Sequence, residues 1–242
     1  ASTTAVADLN GDGNQEMLVG CEDGSLVAIN AENEIIWETK FEGRVNDIAG
    51  ADLDNDGSAE VLCGVNDEHL HVLDSDGSEL WNKFVEAFHS NGGGPGHVTV
   101  VLPADFDGDG TPEIVYGSEN TFFYVVDAEG SPVVTGGEPW EVQHGHTATD
   151  AAVADITGDG QKELFATWEW RTRWIADFTG RDQRRRKFYV GGGSGGSIVV
   201  TADIVTNSTR PGFDDGQDVW TPAFDPELLL DLDPLGVKVV LV

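Results

Sequence analysis

Asp52-Leu53-Asp54-Asn55-Asp56-Gly57-Ser58-Ala59-Glu60 is the stretch on which the fold turns. It places oxygen-bearing side chains at positions one, three and five, glycine at six and glutamate at nine. Alternate spacing aims those oxygens at one point and glycine permits the sharp bend, so the segment predicts a loop that wraps a hard cation. The same loop occurs as Asp8-Leu9-Asn10-Gly11-Asp12-Gly13-Asn14-Gln15-Glu16 and as Asp105-Phe106-Asp107-Gly108-Asp109-Gly110-Thr111-Pro112-Glu113. A fourth copy is Asp155-Ile156-Thr157-Gly158-Asp159-Gly160-Gln161-Lys162-Glu163.

Successive copies start 44, 53 and 50 residues apart, a period that fits propeller blades rather than helical solenoids. Before each loop lies a strand of small residues, such as Asp47-Ile48-Ala49-Gly50-Ala51. After it comes an apolar strand ending in glycine, as in Glu60-Val61-Leu62-Cys63-Gly64. A third strand (Leu70-His71-Val72-Leu73-Asp74) and a fourth (Ser78-Glu79-Leu80-Trp81-Asn82) follow across Gly/Asp/Asn turns. Four short strands per repeat make one blade. The expected fold is therefore all-β: a β-propeller with four recognisable four-stranded blades over residues 1–180, open to further blades, and an irregular C-terminal β extension. Trp37, Trp81 and Trp140 are expected to fill gaps between blades, and Cys21 and Cys63 to be buried free thiols in neighbouring strands.

The candidate cation ligands are Asp8, Asn10, Asp12, Asn14 and Glu16 in the first loop, and Asp52, Asp54, Asp56, Ser58 and Glu60 in the second. The third supplies Asp105, Asp107, Asp109, Thr111 and Glu113, and the fourth Asp155, Thr157, Asp159, Gln161 and Glu163. Position seven is expected to contribute its backbone carbonyl. Calcium suits this set better than magnesium, because several carboxylates offer a flexible cage made wholly of protein oxygen. The set contains no His or Cys, which argues against zinc or copper. Up to four calcium ions are expected, one per loop, with the fourth weakest because Thr157 replaces a carboxylate.

These residues carry a resemblance. The pattern of loop, apolar strand and glycine resembles the calcium-binding FG-GAP or VCBS repeat of integrin-alpha-type β-propellers over about residues 1–170; the fourth copy departs at Thr157 and lacks the glycine after its strand. The resemblance implies calcium held between two strands of a blade, and a whole propeller of seven or eight blades. A looser likeness, carried by Leu73-Asp74-Ser75-Asp76-Gly77-Ser78-Glu79-Leu80-Trp81, is to quinoprotein-like blades and propeller rhamnogalacturonan lyases.

Composition narrows the function. In 242 residues, 44 Asp and Glu stand against 13 Lys and Arg, a net charge of −31. Such a surface repels phosphate, which excludes nucleic acid as a partner and disfavours anionic membranes. No apolar run is long enough to span a bilayer. Fourteen of the 44 acids sit in the four loops, so much of the excess is local ligand chemistry; the rest fits an extracellular or cell-surface setting, where salt screens self-repulsion.

Residues 181–196, with Arg184-Arg185-Arg186-Lys187 and a glycine run, read as a linker. Residues 197–242 read as a final blade or β extension.

Aligning the loops places Arg44 and His97 eight residues before their loop aspartates and His146 nine before, where they would surround one mouth of a central channel. Asp47 and Asp150 would lie deeper on that wall, and His144 could substitute for His146. Arg with His as base and acid is the chemistry of β-elimination on an acidic sugar, so these three are the candidate catalytic residues. They could equally be turn residues making local hydrogen bonds. The leading expectation is a secreted calcium-binding propeller serving as a binding or scaffold module for carbohydrate or an extracellular protein. The alternatives are a polysaccharide lyase and a structural subunit that self-assembles.

Overall fold

The apolar strand after the second and the third loop is buried on both faces, because alternate side chains point into different interfaces. Val61 and Cys63 join the core shared by the first and second blades, whereas Leu62 joins the core shared by the second and third. The computed structural model describes residues 1–189 except 90–92, 107, 136–137, 140, 144–146, 155–161, 169–171 and 178–185. No helix occurs among the described residues, and every blade is an antiparallel sheet.

The first blade is β1 (Thr3–Ala7), β2 (Glu16–Gly20), β3 (Ser25–Ile29) and β4 (Ile35–Lys40), hydrogen-bonded in that order. The second is β5 (Val45–Ala51), β6 (Glu60–Val65), β7 (His69–Leu73) and β8 (Glu79–Phe84). The third consists of β9 (Val98–Ala104), β10 (Glu113–Ser118) and β11 (Phe122–Val126). After a short hairpin of β12 (Val134–Thr135) and β13 (Glu138–Pro139) it is completed by β14 (Glu141–Gln143). The fourth is β15 (Ala148–Ala154), β16 (Glu163–Trp168), β17 (Thr172–Asp177) and β18 (Arg186–Tyr189). Strand β18 falls inside the stretch expected to be a linker, so the bladed part runs past residue 180 and the basic residues Arg186 and Lys187 belong to a sheet. Residues 197–242, expected to form a final blade or β extension, lie outside the described residues, as does Trp140.

Innermost strands pack in succession, β1 against β5, β5 against β9 and β9 against β15, as in neighbouring blades of a propeller. Close approach is what the glycine after the apolar strand provides. A Cβ on Gly64 would sit 2.9 Å from the Val98 carbonyl oxygen, and one on Gly117 would sit 2.7 Å from the Ala148 Cβ. Polar side chains then tie each innermost strand to the next. Ser2 Oγ donates to the Val45 carbonyl at 2.6 Å, Asn46 Nδ2 to the Val98 carbonyl at 2.7 Å, and Thr99 Oγ1 to the Ala148 carbonyl at 2.8 Å. All three donors stand six residues before their loop aspartate.

The outer strands are tied as well. Trp37 Nε1 in β4 donates to the Ser75 carbonyl in the β7–β8 turn of the next blade at 2.8 Å, and Trp81 Nε1 in β8 donates to the Ala128 carbonyl after β11 at 3.0 Å. Both rings thus sit between blades, as their sequence position implied. Cys63 is a buried free thiol, and burial pushes its pKa above the ordinary value. Cys21 differs from expectation: it is half-buried in the turn after β2 rather than in a strand.

Candidate functional site

The acidic loops join the first and second strands of each blade. Two left-handed residues shape each of the first three: Gly11 and Gly13 (φ 69° and 87°), Asn55 and Gly57 (62° and 97°), Gly108 and Gly110 (80° and 95°). Only glycine and, less often, asparagine adopt this region readily, which accounts for both positions four and six. The bends turn backbone N–H groups inward onto the carboxylates. In the second loop the Asp56 amide donates to Asp52 Oδ1 and Asp54 Oδ1, both at 3.1 Å; the Gly57 amide donates to Asp52 Oδ2 at 3.0 Å and the Ser58 amide to Asp56 Oδ1 at 2.8 Å. The first loop repeats this through Asp8, Asn10 and Asp12, with Asn14 supplying the amide at position seven. In the third, Gly108 and Thr111 amides donate to Asp105 and Asp109, each at 2.7 Å.

Glutamate at position nine closes each of the first three loops from below. Glu16, Glu60 and Glu113 are buried, and each accepts through Oε2 from the amide at position two: Leu9 at 3.0 Å, Leu53 at 2.7 Å and Phe106 at 2.7 Å. A ligand oxygen from each of Asp52, Asp54 and Glu60 lies within 4.8 Å of the others. Burial raises the Glu60 carboxyl above its ordinary value and Asp54 and Asp56 push it the same way, against the Leu53 amide bond. Each ionised carboxylate oxygen has more lone pairs than these amide bonds use, so the donor set fits a hard, oxygen-seeking cation. Asp107, Asp155, Thr157, Asp159 and Gln161 lie outside the described residues, and of Glu163 only its place at the start of β16 is described.

Consecutive loops touch. The Ala59 amide donates to the Asp8 carbonyl at 2.9 Å, and Asn55 Nδ2 lies 3.4 Å from Thr111 Oγ1. Order imposed on one loop is thereby transmitted to the next blade.

At the opposite end of the blades, Arg44 and His97 each stand one residue before an innermost strand, β5 and β9. Arg44 is exposed and forms no ion pair among the described residues, whereas His97 Nδ1 lies 3.3 Å from Glu119 Oε2. His146 and His144 lie outside the described residues, so two of the three expected channel-mouth residues are placed, on neighbouring strands. Asp47 serves structure: its Oδ2 accepts from the Val101 amide of β9 at 2.9 Å and its Oδ1 from Ile48 at 3.0 Å. Burial raises its pKa, which the two amide bonds partly offset.

One cluster was missed from the sequence. Asp67, His69 and His71 converge at the β6–β7 turn, with Glu79 of β8 behind them. The available signal was the alternation Asp67-Glu68-His69-Leu70-His71, which puts both imidazoles on one face of a strand.

Residues 23–133 match the lambda-carrageenase beta-propeller domain, and residues 105–166 match the FG-GAP-like repeat. No curated protein matches the sequence significantly. Among solved structures, the chain is similar to BBS1N, solved in complex with ARL6DN, at 14% identity and TM-score 0.59, covering 76% of this chain and 56% of that one. It is also similar to Saccharomyces cerevisiae Sqt1, at 15% identity and TM-score 0.60, covering 76% of this chain and 48% of that one. At such identities the likeness is one of fold, and the chain spans about half the length of either structure. The β-propeller architecture and the FG-GAP resemblance read from the repeats are thus borne out. No described helix is long and apolar enough to cross a membrane.

Proposed function

We propose that this FG-GAP-type propeller is a secreted, calcium-stabilised binding or scaffold module whose partner is a carbohydrate or another extracellular molecule. The observation that carries the calcium reading is the convergence of Asp52, Asp54 and Glu60 oxygens within one loop whose geometry recurs in the first and third. Calcium there would neutralise Asp54 and Asp56, whose charges push the Glu60 pKa up, and would brace loops that already touch across blades. The ligands would be Asp52, Asp54, Asp56 and Glu60 with the Ser58 carbonyl in the second loop, and the corresponding residues in the first, third and fourth. The carbohydrate reading is supported by the match to a lambda-carrageenase propeller domain over residues 23–133. The extracellular reading is supported by the net charge of −31, which calcium and salt would screen.

Among the described residues the geometry does not favour the lyase alternative over this one, since His97 is already paired with Glu119 and Arg44 forms no ion pair there. The decisive experiment is thermal unfolding of the whole chain with calcium in excess and with chelator. A ligand at about one hundred times its dissociation constant stabilises by about 2.7 kcal/mol, so melting should rise with calcium. The rise should shrink in Asp54→Asn/Asp56→Asn; equal melting with and without calcium would overturn the reading. A glycan array of neutral and sulfated galactans tests the partner.

A further inference from the structure

The β6–β7 turn carries a second and chemically different cluster, at the end of the blade opposite the second acidic loop. Residue by residue, each group is pre-positioned. The Asp67 carboxylate is fixed through Oδ1, which accepts from the His69 amide at 3.1 Å and so turns Oδ2 to within 3.0 Å of His71 Nε2. The His71 ring is held from its other side by Glu79 Oε2, 2.7 Å from Nδ1, and packs against the Phe41 ring at a centroid distance of 4.6 Å. The His69 ring is held likewise: its Nδ1 lies 2.8 Å from the Asp67 carbonyl oxygen, and its ring lies beside Phe84. Both imidazoles therefore have Nδ1 against an oxygen acceptor, and His71 Nε2 faces Asp67 Oδ2, so a cation bound between those two atoms would take the place of the proton they share. That division, one nitrogen on a carboxylate or backbone carbonyl and the other left for the cation, is how metal-binding histidines are oriented.

We propose that Asp67, His69 and His71 form a binding site for a divalent transition-series cation of the zinc class, with Glu79 and the Asp67 carbonyl as the outer partners that fix the two imidazoles. One ligand atom from each of the three lies within 4.8 Å of the others. Ligands about 2.0–2.1 Å from zinc stand about 3.3 Å apart in a tetrahedron, so Asp67 Oδ2 and His71 Nε2 already span one edge. The His69 side chain is 33% exposed, so a cation can reach the cluster from solvent. Three protein ligands leave a fourth position for water or for a donor from a partner. The imidazoles distinguish this site from the acidic loops, since nitrogen ligands favour zinc-class ions and all-oxygen loops favour calcium. The inference does not rest on the calcium reading.

The test is titration of the full chain with cobalt(II) as a spectroscopic probe, in excess calcium so that the oxygen loops are not the sites observed. One equivalent should give a visible ligand-field spectrum, and one equivalent of zinc should abolish it. His69→Ala and His71→Gln should each remove the spectrum, and Glu79→Gln should weaken binding about ten- to a hundredfold while leaving the stoichiometry at one. His71 is buried and its variant can fail to fold; His69 is half-exposed, so His69→Ala, checked by circular dichroism, then decides. No cobalt spectrum in the unaltered chain, or a spectrum that persists unchanged in His69→Ala, would overturn the proposal.

Discussion

Gly64 in the second blade and Thr167 in the fourth hold the same place, one residue before the end of their strands and four after the loop glutamate, yet only one of them is glycine. Gly64 has the Val98 backbone against it, where a Cβ would meet the carbonyl oxygen at 2.9 Å. Thr167 meets its own blade instead: its Oγ1 lies 2.9 Å from Thr149 Oγ1. Thr149 in turn occupies the place from which Ser2, Asn46 and Thr99 reach forward to the next innermost strand. Strand β15 is correspondingly more exposed than β5. At the other side of the array, Asn33 (φ 64°) stands where Gly77 and Gly130 do; those two have Trp37 and Trp81 against them. These glycines thus serve the neighbouring blade and the short polar residues reach across to it, and the glycines are replaced where no described neighbour packs.

Substitutions that add or remove a neighbour contact test this reading. Gly64→Ala should be the most damaging, because backbone and not a flexible side chain blocks the new methyl. Overpacking of this kind costs about 1–3 kcal/mol, to be read from the midpoint of urea unfolding. A loss below about 0.5 kcal/mol would show that the blades are not in contact there. Next comes Thr99→Val, which leaves the Ala148 carbonyl short of a donor and should cost about 1 kcal/mol, whereas Thr149→Val should fall within about 0.5 kcal/mol. Equal effects for the two would break the distinction between forward-reaching and inward-turning residues.

Asp47 sharpens the comparison through pH. Burial raises its folded-state pKa above the ordinary value of 3.8 despite the amide bonds from Val101 and Ile48. The folded chain therefore holds this proton more tightly than the unfolded chain, so the group's contribution is fully present below 3.8 and is lost as pH rises through the raised value. Asp47→Asn should remove that slope, read as the difference in unfolding free energy between the two proteins across the acid range. Identical pH profiles would contradict it. The smallest effect belongs to Thr167→Ala, expected within about 0.5 kcal/mol because among the described residues its hydroxyl bonds only within its own blade.

Much of this was legible beforehand. The loop spacing gave position, chemistry and period, and the apolar strands after Glu16, Glu60 and Glu113 came out where the alternation placed them. Trp37 and Trp81 were recognisable as fillers between blades. The role of glutamate at position nine was read only in part: it was taken as a ligand, whereas one of its oxygens also ties the buried amide at position two. The linker reading of 181–196 stopped short of β18, because a run of Arg and Lys carries no alternation to mark a strand.

By itself the sequence determined what depends on neighbours along the chain. Side-chain period sets strands, left-handed residues set loops, and alternate carboxylates set a hard-cation cage, all within nine residues or so. The tertiary structure alone decided which groups serve across blades. Asp47 and Val101 are 54 residues apart, and Thr99 and Ala148 are 49. Likewise His71 acquires Glu79 only once β7 and β8 pair. Such contacts depend on where sheets pack in space, which no local pattern encodes.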